Sequence, residues 1–137
     1  MKTQTLLRTL LLLGVALFIA ACAGSPTTVV GDVTYSGYWR IKCNGNAGSD
    51  GHVQFRILPK GGASIDVTVN VSKGTSENAV AKLVTKAMSS ALDSKLYHVE
   101  RDDWEDVCIS ARGKQAGFTV QLVESTLSGV SFKIVLD

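Results

Sequence analysis

From Val33 onward, apolar residues recur at every second position in seven separate stretches, and this alternation is the strongest constraint on the fold. A period of two puts one side of a strand against a core and leaves the other in water. Val33, Tyr35, Gly37, Trp39, Ile41 and Cys43 fall on one face of the first stretch, followed by Val53, Phe55 and Ile57 in the second. In the third, Ile65, Val67, Val69 and Val71 alternate with Asp66, Thr68 and Asn70. The remaining four carry Tyr97 and Val99; Val107, Ile109 and Ala111; Phe118, Val120 and Leu122; and Val130, Phe132, Ile134 and Leu136. Strands with one polar face predict an antiparallel sheet of six to seven strands, packed on one side.

One segment breaks the pattern. Thr75 is a good N-cap, Glu77 favours the positive end of a helix dipole, and Val80, Leu83, Val84, Ala87, Met88, Ala91 and Leu92 form a 3.6-residue stripe. The spacing predicts a covering amphipathic helix over residues 75–93, with Lys82 and Lys86 in solvent. The order βββ–α–ββββ makes the class α+β. The stretch from Ile65 to Ile109 includes Val71-Ser72-Lys73-Gly74-Thr75-Ser76 before the helix. It is similar to β–α–β–β units of phage-tail and bacterial surface proteins, a resemblance that implies fold only and brings no catalytic residue.

The first 21 residues read differently. Lys2 and Arg8 precede an apolar run from Leu10 to Ala21, interrupted by Gly14. As a helix it would rise about 18 Å, short of a roughly 30 Å hydrocarbon core, so it reads as an export signal rather than a span. Its end, Ile19-Ala20-Ala21-Cys22, resembles the lipobox of bacterial lipoproteins. That resemblance implies cleavage between Ala21 and Cys22, diacylation of the Cys22 sulfur and acylation of the new amine. Two or three chains give a near-permanent membrane anchor. Ala23, in place of Asp after the lipidated Cys, implies sorting to the outer membrane of a two-membrane host. Residues 22–32 are small, polar and Pro/Gly-bearing and read as a tether, leaving one domain over 33–137.

Removing Lys2 and Arg8 with the leader leaves 12 basic against 12 acidic side chains, so no basic footprint for nucleic acid survives. Cys43 and Cys108 are then the remaining cysteines. An even pair in an exported domain predicts a disulfide, and a loop of about 65 residues would make it worth roughly 4 kcal/mol. Cys43 is in phase with Trp39 and Ile41, but Cys108 is out of phase with Val107 and Ile109.

Candidate sites are few. The run Cys43-Asn44-Gly45-Asn46-Ala47-Gly48-Ser49-Asp50-Gly51-His52 has calcium-loop composition but lacks the terminal bidentate Glu, and its Asn-Gly and Asp-Gly pairs predict a mobile hairpin. Glu100-Arg101-Asp102-Asp103-Trp104-Glu105-Asp106 gathers five carboxylates around one Trp. It is either a solvated turn with Trp104 folded back on the sheet, or an acidic-aromatic patch for a basic partner. Asp102, Asp103, Trp104 and Glu105, with Tyr38 and Arg40 on the wet face of the first strand, are the candidate binding residues. His52 and His98 lie on different elements, and the chain has no H-E-x-x-H, G-x-S-x-G, P-loop or dinucleotide fingerprint. No catalytic residue, metal or cofactor is expected. The expectation is a lipid-anchored envelope protein with a binding or structural role and a protein partner. The alternatives are an inhibitor of an exported hydrolase such as lysozyme, and a small envelope enzyme.

Overall fold

The computed structural model describes residues 32–137. Cys22, with the cleavage expected before it, and most of the expected tether lie outside the described residues. Seven strands and one helix form in the expected order: β1 (Tyr38–Asn44), β2 (Gly51–Pro59), β3 (Ile65–Val71), α1 (Glu77–Ala91), β4 (Tyr97–Asp102), β5 (Asp106–Ala111), β6 (Phe118–Ser125) and β7 (Ser131–Val135). All strand pairs are antiparallel, as expected for α+β. The strands divide, however, between two sheets, ordered β4-β5-β1-β7 and β3-β2-β6, rather than forming one.

The two inner faces share one core. Trp39 and Ile41 of β1 and Val107 and Ile109 of β5 meet Val53, Phe55 and Ile57 of β2 and Val67 and Val69 of β3. Aromatic pairs cross between the sheets. Tyr97 meets Phe118 edge-on at 5.2 Å, and Phe55 meets Phe132 at 5.4 Å. The Trp39 indole N–H also donates to the Phe118 carbonyl at 2.6 Å, so a buried donor and acceptor from different sheets satisfy each other.

Helix α1 closes the core from one side with Val80, Ala81, Val84 and Met88, while Leu83 and Ala87 lie at its border and Ala91 is exposed. The buried stripe is rotated toward Ala81 from the expected face. The cap is Ser76 rather than Thr75, because the Thr75 hydroxyl is spent on the Ser72 carbonyl at 2.7 Å, whereas Ser76 Oγ accepts from Ala79 N–H.

Two further expectations about the strands are corrected. The first strand starts at Tyr38, not Val33. Ser36 instead bridges to Phe118 of β6, and the Thr119 hydroxyl donates to the Thr34 carbonyl, so the chain crosses between sheets at Gly37. In β6, Phe118 and Val120 are buried but Leu122 is 42% exposed. The β2 register jumps between Gln54 and Phe55, which pair with Glu124 and Leu122, so Val123 is an extra, bulged residue.

The run from Cys43 to His52 is no mobile hairpin, because β1 and β2 belong to different sheets. It is a pinned crossover. Ala47 N–H donates to the Thr75 carbonyl (2.8 Å), its carbonyl accepts from Gly74 N–H (2.7 Å), and Asp50 accepts from Lys73 N–H (2.7 Å). Gly45 N–H donates to Glu77, while Asn46 accepts from Glu77 N–H. The loop at 128–129 packs so closely on this crossover that Gly129 must be glycine: its φ is +75°, and a Cβ there would sit 2.5 Å from the Asn46 carbonyl oxygen.

The expected disulfide between Cys43 and Cys108 is not formed; both thiols are free and buried. In the β1–β5 ladder Arg40 is opposite Cys108, and Cys43 N–H donates to the Glu105 carbonyl. The two cysteines are thus three register positions apart, roughly 10 Å along the strands, and on opposite faces. Cα atoms more than about 7 Å apart cannot be bridged without moving backbone.

Candidate binding face and hairpin tip

The outward face of the four-stranded sheet is set by two ladders. Across β1, β5 and β4, Tyr38 is level with Ser110 and His98, Arg40 with Cys108 and Glu100, and Lys42 with Asp106 and Asp102. Arg40 sits at the centre. Its Nη1 donates to Asp106 at 3.0 Å and to Asp102 at 3.2 Å, and its Nε donates to Asp137 at 2.9 Å, with Nη2 also reaching Asp137. The Arg40 side chain is 16% exposed and that of Asp106 7%, whereas Asp102 and Asp137 are half in water. Arg40–Asp106 is therefore the less exposed pair, and the hydrogen bonds that Arg40 donates to Asp106 and then to Asp137 hold the guanidinium charged. Lys42 approaches Asp106 from the other side at 3.7 Å.

Cys108 is buried beneath this layer although it points outward. Its interaction with the Tyr38 phenol, followed by burial, pushes Tyr38 up to about 12. Burial raises the Cys108 thiol in turn, against the lowering effect of Tyr38 and Arg40, which disfavours the thiolate.

The β4–β5 hairpin carries the other candidates. Asp102 pairs with Asp106, which leaves Asp103, Trp104 and Glu105 to turn the chain, with Glu105 N–H donating to the Asp103 carbonyl at 2.7 Å. Asp103 (φ +45°) and Trp104 (φ +63°) are both left-handed. This is familiar for Asp and costly for a bulky residue, by about 1–2 kcal/mol. Trp104 does not fold back: it is 69% exposed. Its support is Arg101, whose guanidinium lies 5.5 Å from the ring centroid while Nη1 donates to the Asn78 carbonyl of α1 at 3.4 Å.

The structure thus brings Tyr38, Arg40 and Asp102 onto one face and places Asp103, Trp104 and Glu105 at the adjoining tip. Asp106, Asp137 and Cys108 belong to the same face and were not singled out from sequence as part of it. The phase of β5 held the signal for two of them, since Asp106 and Cys108 alternate with the core residues Val107 and Ile109.

The two histidines stay apart, on β2 and β4 of different sheets. His98 borders a small cavity of about 130 Å³ with Ser94 and Arg112, but Arg112 faces its Nδ1 at 2.9 Å and Glu100 its Nε2 at 3.2 Å. Both ring nitrogens of His98 are thus engaged by charged side chains. Among the described residues no group of three or more His, Cys, Asp or Glu side chains is placed to hold a metal ion. No protein-family model matches the chain and no curated protein matches its sequence.

Proposed function

We propose that this chain is a lipid-anchored protein of the bacterial cell envelope, held in the outer membrane through Cys22. Its domain is a non-enzymatic binding module that presents the β4–β5 tip to a protein partner. The leader and lipobox sequence support the anchor. The observation that carries the binding role is Trp104, kept in water on an unfavourable left-handed backbone, flanked by Asp103 and Glu105, and braced by Arg101. An indole that its own fold leaves 69% exposed, with only the Arg101 contact to support it, gains by entering a partner's recess. Aromatic anchors of this kind dominate interface energies, and the carboxylates select a cationic rim.

The test is capture of partners from envelope extract by the domain and by its Trp104→Ala variant. The reading expects one stoichiometric partner for the parent and none for the variant; equal capture by both would overturn it. Intact mass of protein from its native cells tests the anchor, which requires a chain beginning at Cys22 and heavier than its amino acids. The second reading is inhibition of an exported hydrolase such as lysozyme, favoured by a narrow protruding tip of a shape that can enter a cleft. It requires inhibition of the enzyme that Trp104→Ala abolishes.

A further inference from the structure

The tip described above calls for a recess with an apolar floor and a cationic rim, and the chain itself carries one. Between α1 and the free edge of β3 lies an open groove of about 300 Å³. Its floor is Val69, Leu83 and Ala87, its rim includes Thr68, Asn70 and Lys86, and Lys82 follows one turn away on the exposed side of the helix.

We infer that this groove receives the Trp104 tip of a second copy of the chain. The inference rests on the reading of the tip as the binding element and names the partner. Three observations carry it. The groove is open with an apolar floor that can admit an indole, and Trp104 is the one large apolar side chain among the described residues left mostly in solvent. The charges that would meet are complementary and uncommitted: Asp103 and Glu105 at the tip, Lys86 on the groove's rim and Lys82 one turn away make no ion pair among the described residues. The exported part has equal numbers of acidic and basic side chains, so no net repulsion keeps copies apart.

Within one molecule the tip cannot fill the groove, because α1 separates them. Arg101 of the hairpin reaches Asn78 at the start of the helix, whereas the groove lies toward its C-terminal half on the β3 side. Tip and groove are different patches, so the contact is head-to-tail, and it extends into short chains of molecules rather than closing as a self-complementary pair. On a membrane, where anchored copies share one plane, even a weak contact of this kind is favoured by effective concentration.

Sedimentation of the domain 32–137, which contains both sheets and their whole core, tests the inference from micromolar to millimolar concentration. The parent should associate reversibly, more weakly in high salt. Trp104→Ala should weaken association by about thirtyfold or more, as expected for a central Trp anchor. Lys86→Glu should also sediment as a monomer, with circular dichroism confirming that both variants are folded. An equal mixture of the two variants should form dimers and stop there, because the intact tip of the Lys86→Glu chain meets the intact groove of the Trp104→Ala chain. A parent that is monomeric throughout, a Trp104→Ala variant that associates like the parent, or a mixture that does not pair overturns the inference. If partner capture from envelope extract still depends on Trp104 while the parent stays monomeric, self-docking fails and the broader binding role stands.

Discussion

Trp39 and Phe118 join the two sheets through a single hydrogen bond, from the indole N–H to a main-chain carbonyl at 2.6 Å, both groups being buried. The same Phe118 ring packs edge-on against Tyr97, and its own N–H and carbonyl also bridge Ser36. One residue of β6 is therefore held by β1, β4 and the segment before β1. Trp39→Phe retains most of the apolar body but removes one donor from a carbonyl that water does not reach. Because that carbonyl keeps its bond from the Ser36 N–H, the change should cost about 0.5–1.5 kcal/mol. Phe118→Ala, which empties the junction, should cost about 3–5 kcal/mol. Urea unfolding checks both, with the midpoint falling and the slope unchanged.

Cys43 lies in the core, where burial and then the charges of Asp106 and Glu105 push its thiol up to about 12. A thiol is neutral when protonated, so above the free-thiol pKa of about 8.5 the folded protein keeps a proton that the unfolded chain releases. The contribution is complete below that pH and is lost as pH rises, at about 1.4 kcal/mol per pH unit until the folded-state value is reached. Denaturant midpoints measured between pH 8 and 11 should fall for the parent, and fall less for Cys43→Ala. Alkylation without reductant should label neither cysteine in the native protein and both after unfolding. A product that gains no label on unfolding would restore the disulfide.

Arg40 and Asp106 make the one strongly desolvated ion pair of the outward face. Arg40→Ala leaves the Asp106 carboxylate buried without its main partner and should destabilise by about 3–5 kcal/mol. Pairing Arg40→Met with Asp106→Leu removes both charges together and should recover most of that loss. Asp137→Asn touches only the exposed arm of the network and should change stability by less than about 1 kcal/mol. Thermal melts of the four proteins distinguish this ordering from a network in which every carboxylate contributes equally.

These contrasts mark where local sequence carries information. Ile65–Val71 forms the strand its alternation implies because Asp66, Thr68 and Asn70 leave one choice of face. The α1 stripe is legible for the same reason at a different period. Alternation assigns a residue to a face but says nothing about which strand lies beside it. The split into two sheets, the crossover at residues 45–50 and the three-position offset of the cysteines are therefore pairing facts, invisible locally. The site divides in the same way. Tyr38, Arg40 and Asp102 could be placed on a wet face, whereas the meeting of Arg40 with Asp106 and Asp137 depends on register. Of the two alternatives for Trp104, fold-back fails: hydrophobicity argues for burial, but the three-residue turn between paired Asp102 and Asp106 forces the ring outward.

The geometry of that turn separates what Trp104 does for the fold from what it does for a partner. Trp104→Ala and Trp104→Gly both remove the indole and its contact with Arg101, so they share that loss. They differ in a single Cβ on a backbone with φ +63°, which glycine accepts without strain. Trp104→Gly should therefore be more stable than Trp104→Ala by about 0.5–1 kcal/mol, seen as a higher melting temperature. Neither variant should bind. A position where the better-folding residue is the one that abolishes binding is a position kept for its contact with something else, and finding Trp104→Gly less stable than Trp104→Ala would show that the left-handed turn is not the conformation the hairpin adopts.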